Sequence, residues 1–220
     1  MDARTKWDQL DKSSQQKLID KYRDICTDHG WWEFVYEQFK EECAELGIGV
    51  DTIYFSGFWS QGDGACFEGS VRDWEKFLTG MGKPELYKAI KSIEASDSSI
   101  DVSPSLSWEH SGHYYHEYCT RFDDDVSILN PFDEEDDALR HTTWAAMYGE
   151  HGPLSEHVTD MIEHVREVMR NLYKQLECEY DYLSSDEQVI AYIVDFRDEE
   201  IVYLLETICQ DCDERCELTA

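Results

Sequence analysis

Apolar residues recur at helical spacing from the start of the chain. Trp7, Leu10, Leu18, Tyr22 and Ile25 fall on one stripe with polar residues between them, which predicts a helix over 7–24. Asp28-His29-Gly30 reads as its stop. Trp32, Val35, Tyr36, Phe39 and Cys43 form a second stripe, predicting a helix over 31–46 that Gly47 ends. The period then shortens. Val50, Ile53 and Phe55, a Ser60-Gln61-Gly62-Asp63-Gly64 turn, and the run 65–69 read as strand, turn, strand. Short helices follow over 74–78 and 84–93, and a second hairpin over 100–122 with Ser111-Gly112 at its turn. The run 123–137 reads as an acidic loop containing Asn130-Pro131.

The clearest helix opens at Pro153 and runs to about Tyr182, with Val158, Met161, Ile162, Val165, Val168, Met169, Leu172 and Leu176 inward. Ser184-Ser185-Asp186-Glu187 suits a helix N-terminus, because hydroxyl and carboxylate groups accept from the free amides there. A further helix follows over 198–209. Strands between helical ends predict an α+β fold: an N-terminal helix pair, central antiparallel β-hairpins and C-terminal long helices. The expected division is an α+β domain over 1–150 and an acidic helical region over 151–220 packed on the same core.

Charge changes this picture most. The 220 residues carry 49 Asp and Glu against 19 Lys and Arg, a net charge of −30. The last 44 residues hold 14 acids and 2 bases, so acidity steepens toward the C-terminus. Tyr180, Tyr182, Leu183, Val189, Ile190, Tyr192, Ile193 and Phe196 interleave those acids, and a segment this apolar folds rather than staying extended. Such a chain repels nucleic acid and anionic membranes, so direct binding to either is excluded. No apolar run approaches the roughly 20 residues of a membrane span, and the start lacks an apolar signal core. The expectation is a cytosolic protein with its eight cysteines reduced.

The least ordinary stretch is Phe55-Ser56-Gly57-Phe58-Trp59-Ser60-Gln61-Gly62-Asp63-Gly64-Ala65-Cys66-Phe67-Glu68-Gly69. A tight hairpin with an aromatic core face is its ordinary reading. Its spacing fits no phosphate-binding glycine loop. This string, followed closely by Trp74, resembles a group of little-characterised proteins of tailed bacteriophages and some bacteria. The segment Glu179-Tyr180-Asp181-Tyr182-Leu183-Ser184-Ser185-Asp186-Glu187 is similar to their C-terminal part. The resemblance implies a phage or mobile-element origin and action in a bacterial cytoplasm. It carries over no catalytic residue.

Two further groups have metal-ligand residue types. His110, His113, His116 and Cys119 stand three apart, but flanking aromatics favour a strand, which sends His113 and His116 to opposite faces. Cys209, Cys212 and Cys216, with Cys178 as the candidate fourth ligand, lack a second CxxC pair, so a reduced tail is expected rather than zinc. No metal and no cofactor are expected. Asp51, Asp63, Glu68 and Asp73 lie near the turn, but acids are too abundant for that proximity to argue for an enzyme.

The first functional reading is an acidic inhibitor that mimics nucleic acid and occupies the basic surface of a bacterial nuclease or defence complex. Its contact residues are Asp123, Asp124, Asp125, Asp133, Glu134, Glu135, Asp136 and Asp137, with Asp195, Asp198, Glu199 and Glu200 behind them. A solvated acidic face is the plain alternative. The rival is a ligand-binding protein or small hydrolase using Ser56, Trp59, Gln61, Asp63, His113 and His116 around the turn. The sequence leaves the target and the oligomeric state open, a homodimer included.

Overall fold

The computed structural model describes residues 2–96, 106–123 and 154–217. Among them are eight α-helices and one four-stranded antiparallel sheet, an α+β fold with helices at both chain ends. The described residues group into two units: one from Met1–Glu33 with Glu177–Ala220, the other from Phe34–Leu176. The boundary expected at residue 150 lies outside the described residues.

The first unit begins with two helices where one was expected. α1 spans Ala3–Gln9 and α2 spans Lys12–Tyr22. The apolar stripe runs through both, but Asp11 turns its carboxylate onto the amides of Ser13 and Ser14 and starts a new helix. α6 (Val158–Leu183) reaches into this unit with its last residues. α7 (Asp186–Phe196) and α8 (Asp198–Glu217) complete it. Ser185 caps α7 through the amide of Gln188, as its hydroxyl at that position predicts. Trp7, Leu10, Leu18, Ile19 and Tyr22 bury against Val189, Ile193 and Ile201. Around that core, Lys6 pairs with Asp198 at 2.8 Å and Lys21 with Glu200 at 2.6 Å.

In the second unit, α3 (Glu33–Glu45) leads into β1 (Ile48–Phe55) and β2 (Ala65–Val71). α4 (Trp74–Gly80) and α5 (Pro84–Ser96) follow, then β3 (Ser107–His110) and β4 (Thr120–Asp123). The strands pair in chain order, a meander. β2 lies inside the sheet and is nearly all buried. Phe67 takes Phe39 of α3 edge-on at 5.4 Å and Trp108 of β3 at 5.6 Å. α6 buries Met161, Val165, Val168, Met169, Leu172 and Leu176 of the predicted stripe, whereas Val158 and Ile162 are only half-buried.

The stretch 111–119 corrects the strand reading of the histidines. It is a loop that closes in a short 3-10 turn over Glu117–Cys119. The amide of Ser111 reaches the Cys119 carbonyl at 2.7 Å across its neck. Strand alternation therefore does not set the directions of His113 and His116.

Candidate functional site: two loops at one end of the sheet

Antiparallel register decides which loops meet. Gly69 pairs with Trp108 and His110 with Thr120. The β1–β2 turn and the β3–β4 loop thus leave the sheet at the same end. β4 leaves at the other end, beside Ser107, where the acidic run begins at Asp123. The meander thus puts Asp123 at the end of the sheet opposite the β1–β2 turn.

The turn is built by Asp63. Its Oδ2 accepts from the amides of Trp59 at 2.9 Å and Ser60 at 2.6 Å, which pins the tip and commits the carboxylate to the backbone. Gly62 sits at φ +93°, and a Cβ there would lie 2.1 Å from Cδ1 of Tyr114. A Cβ on Gly64 would meet the Tyr115 carbonyl and the His116 Cβ, each at 2.8 Å. The glycines let the second loop lie flat on the first.

Within the second loop, ring contacts and backbone hydrogen bonds hold the side chains. His110 stacks on Tyr54 at 4.6 Å and meets Tyr115 at 5.1 Å. Its amide donates to Glu68 at 3.1 Å. Burial, then the Glu68 carboxylate, push the Tyr54 hydroxyl up. The Tyr118 amide donates to Nδ1 of His116 at 3.2 Å, which leaves Nε2 for other contacts. That nitrogen lies 3.5 Å from the Cys119 sulfur. Cys66, on β2, is buried, and burial pushes its thiol up to about 12. It has the character of a core residue, not a nucleophile.

α6 supports both loops. Phe58 packs on Tyr173 at 5.5 Å, and Arg170 holds Glu117 at 3.6 Å and Glu163 at 2.7 Å. The guanidinium of Arg166 lies over Tyr118 at 5.0 Å and Phe122 at 5.6 Å. Rings nevertheless remain open to solvent at the rim: Trp59 is 76% exposed, Tyr114 51% and Tyr118 63%.

Of the residues predicted around the turn, Asp63 and His116 are half-buried and tied to backbone amides. Ser56, Trp59, Gln61 and His113 are exposed. Sequence reasoning missed Tyr114 and Tyr118, which the loop presents beside the turn. Gly62 and Gly112, at φ +109°, were the available signals of a loop approaching a turn. Of the predicted acids, Asp124, Asp125, Asp133, Glu134, Glu135, Asp136 and Asp137 lie outside the described residues, and Asp123 ends β4. Asp195 and Glu199 are exposed, whereas Asp198 and Glu200 are engaged by Lys6 and Lys21. The Tyr22 hydroxyl also donates to Glu200.

Among the described residues, no group of three or more His, Cys, Asp and Glu side chains is placed to hold a metal ion. Cys209, Cys212 and Cys216 lie on α8, with side chains outside the description. No helix among the described residues is long and apolar enough to cross a membrane.

Residues 31–186 match a family model described as a domain of unknown function (DUF8835). No curated protein and no solved structure matches the chain. The matched span contains the sheet, both loops and the acidic run 123–137. It leaves out α1, α2, α8 and all but the first residue of α7.

Proposed function

The chain belongs to the DUF8835 family, and we propose that it is a non-catalytic binding protein of phage type. In this reading it is an acidic inhibitor that occupies the basic, nucleic-acid-binding surface of a bacterial nuclease or defence complex in the host cytoplasm. One observation carries the proposal: a surplus of exposed carboxylate displayed on helices. From 177 to 206 the chain exposes Glu177, Asp181, Glu187, Asp195, Glu199 and Glu206, and Arg197 is the only base in that stretch. Helices hold such charges in fixed register, and Coulomb attraction to Lys and Arg does not require the phosphate itself. The run 123–137 adds eight acids and no base within the family-matched span. The choice of a bacterial target rests on the resemblance of the turn motif to tailed-phage proteins.

The rival, a ligand-binding or hydrolytic site at the turn, is favoured by the apposition of Gly62 and Tyr114. Asp63 and His116 are poorly disposed to act as bases in hydrolysis. Asp63 accepts two amides, and Nδ1 of His116 accepts another. Immobilised protein should capture a nucleic-acid-binding protein from bacterial lysate at about 0.05 M salt and release it at about 0.5 M, where the Debye length falls from roughly 14 to 4 Å. A variant with Asp133, Glu134, Glu135, Asp136 and Asp137 changed to Asn and Gln should capture far less. Capture indifferent to both salt and neutralisation contradicts the proposal.

A further inference from the structure

We propose that the loop end of the sheet is an arginine-binding surface, with the exposed rings of Trp59, Tyr114 and Tyr118 as platforms for guanidinium groups of a basic partner. This rests on the charge-driven reading above and names the part of the molecule that anchors the partner.

Three features carry it. The first is placement: Tyr114 lies on Gly62 of the turn that bears Trp59, and the ring row continues through His116 at 6.4 Å to Tyr118 at 6.2 Å. The second is order. Asp63 fixes the Trp59 amide, Trp59 meets Phe58 edge-on at 5.8 Å, and the His116 side chain caps the 3-10 turn that carries Tyr118. Platforms held in advance lose less freedom on binding. The third is a guanidinium already in place. Arg166 sits over Tyr118 and Phe122 from the protein's own side, so this row of rings accepts the geometry that an incoming arginine needs.

Charge selects the occupant. Exposed rings also suit nucleobases, but a chain at −30 repels their phosphates. Arginine satisfies both the rings and the charge. Its planar guanidinium stacks on aromatic faces, whereas the ammonium of lysine is a compact, strongly hydrated charge.

The test uses the full chain with fluorescently labelled nona-arginine and nona-lysine, peptides of equal charge, in anisotropy titrations at about 0.05 and 0.5 M NaCl. The expected result is tighter binding of nona-arginine, and loss of that preference in Trp59→Ala/Tyr114→Ala by about three- to fivefold per ring. Trp59 is largely and Tyr114 half solvent-facing, so the variant should keep its circular dichroism. Trp59→Phe/Tyr114→Phe should restore much of the preference. Equal affinity for the two peptides, or an arginine preference untouched by the double variant, overturns the arginine surface and leaves the charge reading standing. Arginine binding that survives high salt but is lost in the variant keeps the surface and overturns the charge reading. No binding of either peptide at low salt overturns both.

Discussion

Replacing Gly62 with alanine probes the apposition of turn and loop on which the binding surface depends. Two costs are expected. An L-residue at φ +93° is strained by about 1–2 kcal/mol. The new methyl would also lie 2.1, 2.4 and 2.8 Å from three atoms of the Tyr114 ring, so that ring must leave. Tyr114 is half exposed and can swing outward, so the second cost is lost packing of about 1 kcal/mol, at the low end for overpacking. Gly82 is the control. It sits at φ +74° with nothing within 4 Å of where a Cβ would stand, so Gly82→Ala should show the backbone cost alone. Urea denaturation should give about 2–3 kcal/mol for Gly62→Ala and about 1 for Gly82→Ala. In a Tyr114→Ala background, Gly62→Ala should fall to the Gly82→Ala value. A coupling below about 0.5 kcal/mol between positions 62 and 114 would refute the apposition.

Three further outcomes follow from buried or paired groups. His164 packs edge-on against Phe77 with Nε2 buried and unpartnered, and burial holds its pKa below the usual value. The unfolded chain therefore takes up a proton first as pH falls through about 6.5, and stability drops there. His164→Phe should flatten the stability profile between pH 7 and 5; an unchanged slope contradicts this. Hydrogen bonds from Lys21 and then Tyr22 hold the Glu200 carboxyl below its usual value. Its contribution is present above the unfolded pKa and lost as pH falls through the lower folded one. Glu200→Gln should cost about 1 kcal/mol or less at pH 7, after allowance for solvent screening, and nothing at pH 2. Among the thiols, Cys178 is exposed and should react with Ellman's reagent in the native protein. Cys43 and Cys66, pushed up to about 12 by burial, should react only after unfolding.

Local pattern carried much of the fold. The stripe of α6, the serine cap of α7 and the glycine-rich turn between β1 and β2 were legible because each depends on residues within a few positions of one another. The break between α1 and α2 was also written locally, in Asp11 followed by Ser13 and Ser14, but the apolar stripe from Trp7 to Leu18 hides it. Aromatic density from Trp108 to Tyr118 suggested strand, whereas Gly112 and the His116 cap make a loop. What could not be read is what the meander assembles. Gly62 and Tyr114 are 52 positions apart in sequence, and their contact exists only because two hairpins share a strand register. The pairs Lys6–Asp198 and Lys21–Glu200 are separated by 192 and 179 residues. They also tie Asp198 and Glu200, two of the acids named as partner contacts, to Lys6 and Lys21 within the helical unit.

Competition with nucleic acid tests the central claim most directly. A protein captured from bacterial lysate is loaded with fluorescent duplex DNA or RNA at about 0.05 M salt, and this chain is titrated in. Stoichiometric release of the nucleic acid is expected, weakening steeply as salt rises and as the acids at 133–137 are neutralised. Formation of a ternary complex, with the nucleic acid still bound and the chain attached elsewhere, would contradict it.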